Sequence, residues 1–150
     1  MNKIKIKVGV YMKSYMQILR KKNIKPTIHR IKVLEYLDKN RVHPSADEIY
    51  KSIKEYFPTI SRATVYNTLN LLSENKIVEE IITPDALRYD FVEKQHHHFY
   101  CTECRKVYDI HAELPELEID EVEGHKVMSV QYCIVGICKE CLEKTGGGFK

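Results

Sequence analysis

No apolar run in this chain approaches the roughly 18 residues that a membrane-spanning helix needs. The first residues also lack the charged, apolar and small-residue regions of a secretory leader. Membrane and secreted classes are set aside on these grounds, and a cytosolic protein is expected. No HExxH or comparable base-bearing motif occurs, which argues against a hydrolytic metalloenzyme. Cysteine is not scarce, but its pattern disfavours disulfides. Four of the five cysteines fall in CxxC pairs, as metal binding in a reducing compartment requires, and Cys133 has no partner left if those four hold a metal. What remains is ordinary for a globular protein. At 150 residues, 43% hydrophobic and 30% charged, the chain can build a core in one domain or two small ones.

The charge is unevenly placed. Residues 1–84 hold 16 Lys/Arg against 8 Asp/Glu, a net +8, while residues 85–150 hold 8 against 13, a net −5. A basic half joined to an acidic half reads as a polyanion-binding module attached to one that is not. Lys-rich helical surfaces would give the same sign, so charge alone does not decide.

Helix signals fill the basic half. Ser14 can cap a helix to about Asn23, with Tyr15, Met16 and Leu19 inward, and Thr27 can cap a second through Asn40 with Ile28, Ile31, Leu34 and Leu37 on one face. Ser45-Ala46-Asp47-Glu48 is a capping-box sequence opening a third helix that buries Ile49, Ile53 and Phe57. Ser61 caps a fourth to about Asn75, in which Val65, Leu69 and Leu72 face the core and Arg62, Tyr66, Asn67 and Asn70 face outward. Residues 77–83 and 87–92 read as strands around a Pro84-Asp85 turn. Helices followed by a hairpin make a winged helix-turn-helix, whose last helix enters the major groove. An outward face of Arg, Tyr and Asn is also compatible with plain surface.

Beyond the hairpin the period shifts toward two. His96–Tyr100 and Lys106–Ile110 read as strands, 113–123 as an acidic helix, and 126–135 as a strand with Met128, Val130, Tyr132 and Ile134 on one apolar side. A core this small commonly needs a metal or a partner subunit. The fold class is α+β, with domains at 1–84 and 85–150. Residues 1–12, which alternate Lys with Ile or Val, are given no function.

Two metal sites are expected. Cys101, Cys104, Cys138 and Cys141 form an all-thiolate set suited to structural zinc; the 33 residues between the pairs enclose more than a hairpin. A second set mixes nitrogen and carboxylate. His96 and His98, at i and i+2, share a strand face, and Asp90 and Asp109 can approach from neighbouring strands. Such donors suit Fe(II), Mn(II) or Zn(II). A solvated histidine cluster is the plain alternative, and His43, in the loop before the third helix, is on its own a loop histidine before a proline.

With these residues assembled, the chain resembles the ferric uptake regulator family from about Ser14 to Cys141. The resemblance is carried by Val42-His43-Pro44-Ser45-Ala46-Asp47-Glu48-Ile49-Tyr50, Ser61-Arg62-Ala63-Thr64-Val65-Tyr66-Asn67-Thr68-Leu69, Arg88-Tyr89-Asp90-Phe91 and His96-His97-His98-Phe99-Tyr100-Cys101-Thr102-Glu103-Cys104. It implies a homodimeric, metal-dependent repressor of a near-palindromic DNA operator, not an enzyme, with a winged helix followed by an α/β dimerisation domain. It implies that His43, Asp90, His96, His98 and Asp109 form a regulatory iron or manganese site bridging the two domains. Candidate DNA contacts are Ser61, Arg62, Thr64, Tyr66, Asn67 and Asn70 on the recognition helix, with Lys25 and Arg30 near the backbone. Aspartate at 90 and 109 is similar to the peroxide-sensing branch, in which iron-driven oxidation of a ligand histidine, here His43 or His96, releases the operator. An iron or zinc uptake regulator responding to metal alone is the alternative. Val130 stands where some iron sensors place a histidine, so His97 and Glu116 are not expected to complete a third site.

Overall fold

The structure is a computed structural model and describes residues 14–93, 96–115 and 117–146. Residues 1–12 and Glu116 therefore lie outside it. The chain forms two compact units: one holds the described residues up to Ile81 together with Ala86–Glu93, the other Ile82–Asp85 and the described residues beyond Glu93.

The first unit packs four helices and a hairpin. Helix α1 spans 14–21, so Ser14 is itself helical rather than a cap. The helix closes on a Schellman motif: Asn23 takes the left-handed conformation (φ 56°), with Asn23 N–H donating to the Arg20 carbonyl at 2.9 Å and Ile24 N–H to that of Leu19 at 2.9 Å. In α2 (Ile28–Lys39) the Thr27 side chain accepts from Arg30 N–H, as expected of a cap. Its buried residues are Ile31, Val33, Leu34 and Leu37. Ile28, expected on the same face, is exposed in the first turn. Both halves of the Ser45–Glu48 capping box form at the start of α3 (Ala46–Tyr56), which buries Ile49 and Ile53. Phe57 ends this helix and is only half-buried, lying edge-on to His29.

Helix α4 (Arg62–Glu74) is capped by Ser61 and buries Val65, Thr68, Leu69 and Leu72. It too ends in a Schellman motif, with Lys76 left-handed at φ 56°. Strands β1 (Val78–Ile82) and β2 (Leu87–Phe91) then pair, joined by 83–86, a link too short for a parallel crossover. The expected domain boundary at 84/85 falls within this hairpin. Strand β2 packs with the helices, its Tyr89 N–H donating to the Pro44 carbonyl at 3.0 Å. Three helices around a hydrophobic core, followed by the two-stranded wing, make a winged helix-turn-helix.

The second unit is built on a mixed sheet in the order β4-β3-β7, formed by β3 (His97–Cys101), β4 (Val107–Ile110) and β7 (Ile134–Gly136). Strand β3 pairs antiparallel with β4 and parallel with β7. Gly136 lets the strand pass close to Phe99; a Cβ there would meet that ring at 3.1 Å and the ring would have to shift. Between them a small ribbon, β5 (Glu121–Val122) and β6 (His125–Lys126), turns through Glu123 and Gly124, both at positive φ as a type I′ turn demands. Helix α5 (Lys139–Lys144) follows.

Two expectations fail in this unit. The described residues of 113–123 are not helical and end in β5. Pro115 disfavours helix at the residue before it, and closely spaced Glu and Asp residues repel at helical i, i+3 and i+4 separations. The strand expected over 126–135 is reduced to its ends in β6 and β7. Met128, Val130 and Tyr132 between them are exposed, so the described residues leave much of the apolar side that would hold this segment extended open.

Candidate metal centres and nucleic-acid face

The four paired cysteines converge. Cys101 ends β3, and a tight turn carries the chain to Cys104. Arg105 N–H donates to the Cys101 carbonyl at 2.9 Å, Cys101 N–H to the Lys106 carbonyl at 3.0 Å, and Arg105 takes a left-handed φ of 59°. The other pair opens α5, with Cys138 at its N-cap. All four sulfurs lie within 4.8 Å of one another, and Cys104 Sγ is 3.8 Å from Cys138 Sγ. Four sulfurs at about 2.3 Å from a tetrahedral zinc would stand roughly 3.8 Å apart, so the set fits zinc.

The electrostatics favour the thiolate at two of the four sulfurs, Cys101 and Cys138. Burial works to raise the Cys101 thiol, but backbone N–H groups of Cys104, Cys138 and Glu103 bring it down to about 6. The Tyr108 hydroxyl, 3.4 Å from Cys138 Sγ, holds that thiol below its usual value against burial. Cys141, half-buried and hydrogen-bonded to Cys138, is pushed up to about 12. A bound zinc would deprotonate the whole set. Cys133 is half-buried and outside the cluster.

The nitrogen and carboxylate donors fall into two groups, one in each unit. In the first unit His43 Nε2 lies 4.0 Å from Asp90 Oδ2, and both residues are buried. His43 has a left-handed φ of 52°, a sparsely populated conformation for a residue with a side chain. The loop is held there by β2: Arg88 Nη1 donates to the His43 carbonyl at 3.2 Å, and Ser45 bridges Arg88. Arg41 donates to the Phe91 carbonyl at 3.1 Å and stacks over its ring, fixing the strand next to Asp90. In the second unit His98 is the cross-strand partner of Asp109, with Nε2 3.8 Å from Oδ1. His96 Nε2 is 3.2 Å from the same oxygen, and the rings of His96 and His98 are 4.6 Å apart. His97 points the other way and stacks on Tyr132 at 5.3 Å, as strand parity requires.

The candidate DNA contacts lie in the first unit. Ser61, Arg62, Tyr66, Asn67 and Asn70 are exposed along one side of α4, while Thr64 is half-buried, its hydroxyl 2.8 Å from that of Ser61. Arg62 pairs with Asp47 and stacks over the Tyr50 ring, and Tyr66 Oη donates to Asp47 at 3.3 Å. Lys25 is exposed. Arg30 donates to the Lys25 carbonyl at 2.6 Å, which ties the two positions together ahead of α2.

The sequence model of the ferric uptake regulator family matches residues 21–135. The chain belongs to the ferric uptake regulator family. It is 39% identical over 137 residues to the peroxide operon regulator of Bacillus subtilis (strain 168), covering 89% of this chain and 94% of that one. Among solved structures, the Campylobacter jejuni peroxide stress regulator is 33% identical, with a TM-score of 0.59, over 84% of this chain and 98% of its own. The Helicobacter pylori ferric uptake regulator, described as having three functional metal-binding sites, superposes with a TM-score of 0.64 at 23% identity, over 89% of this chain and 92% of that one, and speaks for the fold alone. Members of this family are transcriptional regulators rather than enzymes, and this chain is a regulator of that kind. Among its described residues, no helix is long and apolar enough to cross a membrane.

Sequence reading passed over three residues of this family member. Arg41 and Arg88 position the His43 loop, and a basic residue two before the histidine and another two before the aspartate were the available signals. Tyr108 was missed because its relevance depends on strand parity, which puts it on the opposite face of β4 from Asp109.

Proposed function

We propose that this chain is a metal-dependent repressor that binds a near-palindromic operator as a homodimer and leaves it on reaction with hydrogen peroxide. The observation that carries the reading is the donor set of three imidazoles and two aspartates without a thiolate, divided between the units. His43 with Asp90 supplies two donors, and His96 and His98 with Asp109 supply three. Neither group alone fills the roughly six positions of an octahedral iron(II) or manganese(II) ion. One ion shared by both would fix the DNA-reading unit against the zinc-bearing unit, so that occupancy sets the spacing of two reading heads in a dimer.

Iron(II) held by His43, Asp90, His96, His98 and Asp109 would supply the redox chemistry toward peroxide. In the net reaction the imidazole of His43 or His96 gains one oxygen at a ring carbon, and the peroxide leaves as water. The modified ring is a poorer donor, the half-sites separate, and the operator is released. Manganese(II) would hold the same arrangement while reacting far less. DNA binding is supported by the exposed polar face of α4, the net +8 on residues 1–84 and the wing beside them. A second copy of the chain is supported by the exposed Leu117, Ile119, Met128, Val130 and Tyr132, too much apolar surface for a small unit to leave open.

The test is mass spectrometry of histidine peptides after peroxide, comparing iron-loaded with manganese-loaded protein. The expected result is one added oxygen on His43 or His96 with iron only, in step with loss of operator binding. Full release from DNA with unmodified histidines would reject the oxidation step. Operator binding that follows metal concentration and ignores peroxide would select an iron or zinc uptake regulator instead.

A further inference from the structure

We propose that Tyr108 is a positioning residue of the four-cysteine zinc site, whose hydroxyl donates a hydrogen bond to the zinc-bound sulfur of Cys138 and makes that thiolate a weaker nucleophile. The phenol oxygen is 3.4 Å from Cys138 Sγ and 3.9 Å from Cys104 Sγ, which are themselves 3.8 Å apart. It stands over the edge joining one ligand from each CxxC pair.

The four sulfurs are otherwise unequally served. Cys101 Sγ accepts from the Cys138 N–H at 3.3 Å, so one buried ligand is satisfied by the backbone. The other buried ligand, Cys138, is served by the Cys141 backbone and, from a side chain, by the Tyr108 hydroxyl. Zinc with four thiolates carries a net charge of −2, and donors to the sulfurs spread that charge and lower their reactivity toward electrophiles. Strand pairing fixes the phenol's place: Tyr108 lies opposite Phe99, two residues before Cys101 on the neighbouring strand, so the ring enters from the sheet rather than from a free loop. In a chain proposed to meet peroxide at its other metal centre, a damped zinc site keeps the fold intact while the histidine site reacts.

The inference rests on zinc occupying the four cysteines, and the experiment separates the two. Wild type and Tyr108→Phe, both purified with their metal, are assayed for zinc and then treated with iodoacetamide, which forms a carbon–sulfur bond as iodide leaves. Zinc release is followed with a chromogenic chelator, and labelled cysteines are identified by peptide mass spectrometry. Phenylalanine keeps the ring over the site and removes only the hydroxyl. The expected result is equal zinc content, with Cys138 labelled roughly threefold or more faster in the variant while Cys133, outside the cluster, is labelled at the wild-type rate. In cobalt-substituted protein, the sulfur-to-metal charge-transfer band of the variant should move to longer wavelength, since a thiolate without its donor gives up electrons more easily. Equal zinc content with unchanged Cys138 labelling and an unmoved band would overturn the role of Tyr108. Absence of zinc from both proteins would overturn the zinc assignment and this inference with it.

Discussion

His43 sits at a backbone conformation that a non-glycine residue seldom adopts, and the bonds holding it there are made by residues with no metal-binding chemistry of their own. Arg88 grips its carbonyl, and Ser45 joins the same strand while capping α3. Ser45 therefore serves two elements at once. Replacing it by alanine should lower stability by about 1 kcal/mol, read as a reduced midpoint in thermal unfolding; Ser45→Thr should restore most of it. Glu35 gives a pH dependence of known sign. Burial works to raise its carboxyl, but Lys32 at 2.7 Å and Lys39 at 2.5 Å outweigh it and hold the group below its usual range. Its contribution is then present above the unfolded carboxylate pKa and is lost as pH falls through the lower folded value. The acid limb of a stability–pH curve should flatten in Glu35→Gln, and an unchanged limb would count against the pairing.

Among the elements, α2, α3 and α4 of the first unit were legible because each carries its own cap, whereas Ser14, read as a cap, lies within α1. Thr27, Ser45 and Ser61 cap as read, and the Val65, Leu69 and Leu72 stripe is buried. Leu69 is fully buried where α4 meets the other helices, so Leu69→Ala should cost about 2–5 kcal/mol and be seen as a lowered denaturant midpoint. Lys25→Ala, by contrast, should leave folding alone and weaken operator and random DNA equally, reducing the salt slope of binding by about one. The second unit was less legible. Its acidic 113–123 segment has helix-compatible residues, but Pro115 and like-charge spacing act against the helix. The 126–135 alternation is a real apolar pattern that the described residues leave largely exposed. Periodicity reports that a face wants burial; it does not report by what.

For the whole molecule, the two units differ in what holds them. The first has a contiguous apolar core running from Tyr15 to Phe91. The second has a three-stranded sheet with four converging cysteines, so a zinc ion bound there would carry much of its stability. Cys101→Ser should expose the amides of β3 and β7 to hydrogen exchange while those of α2 and α4 stay protected. The two CxxC pairs made this site readable from spacing alone. The histidine and aspartate donors were harder, because their ligands are scattered from His43 to Asp109 and only strand parity and resemblance linked them. Sequence distance hides what a shared ion would join.

If His43 and Asp90 hold the same ion as His96, His98 and Asp109, electron paramagnetic resonance of manganese(II) added to zinc-loaded protein will reveal it. A single tight manganese site per chain is expected, lost in Asp90→Ala and lost equally in His98→Ala. If each variant kept the tight manganese signal through the other unit's ligands, the shared ion and the switch built on it would be contradicted.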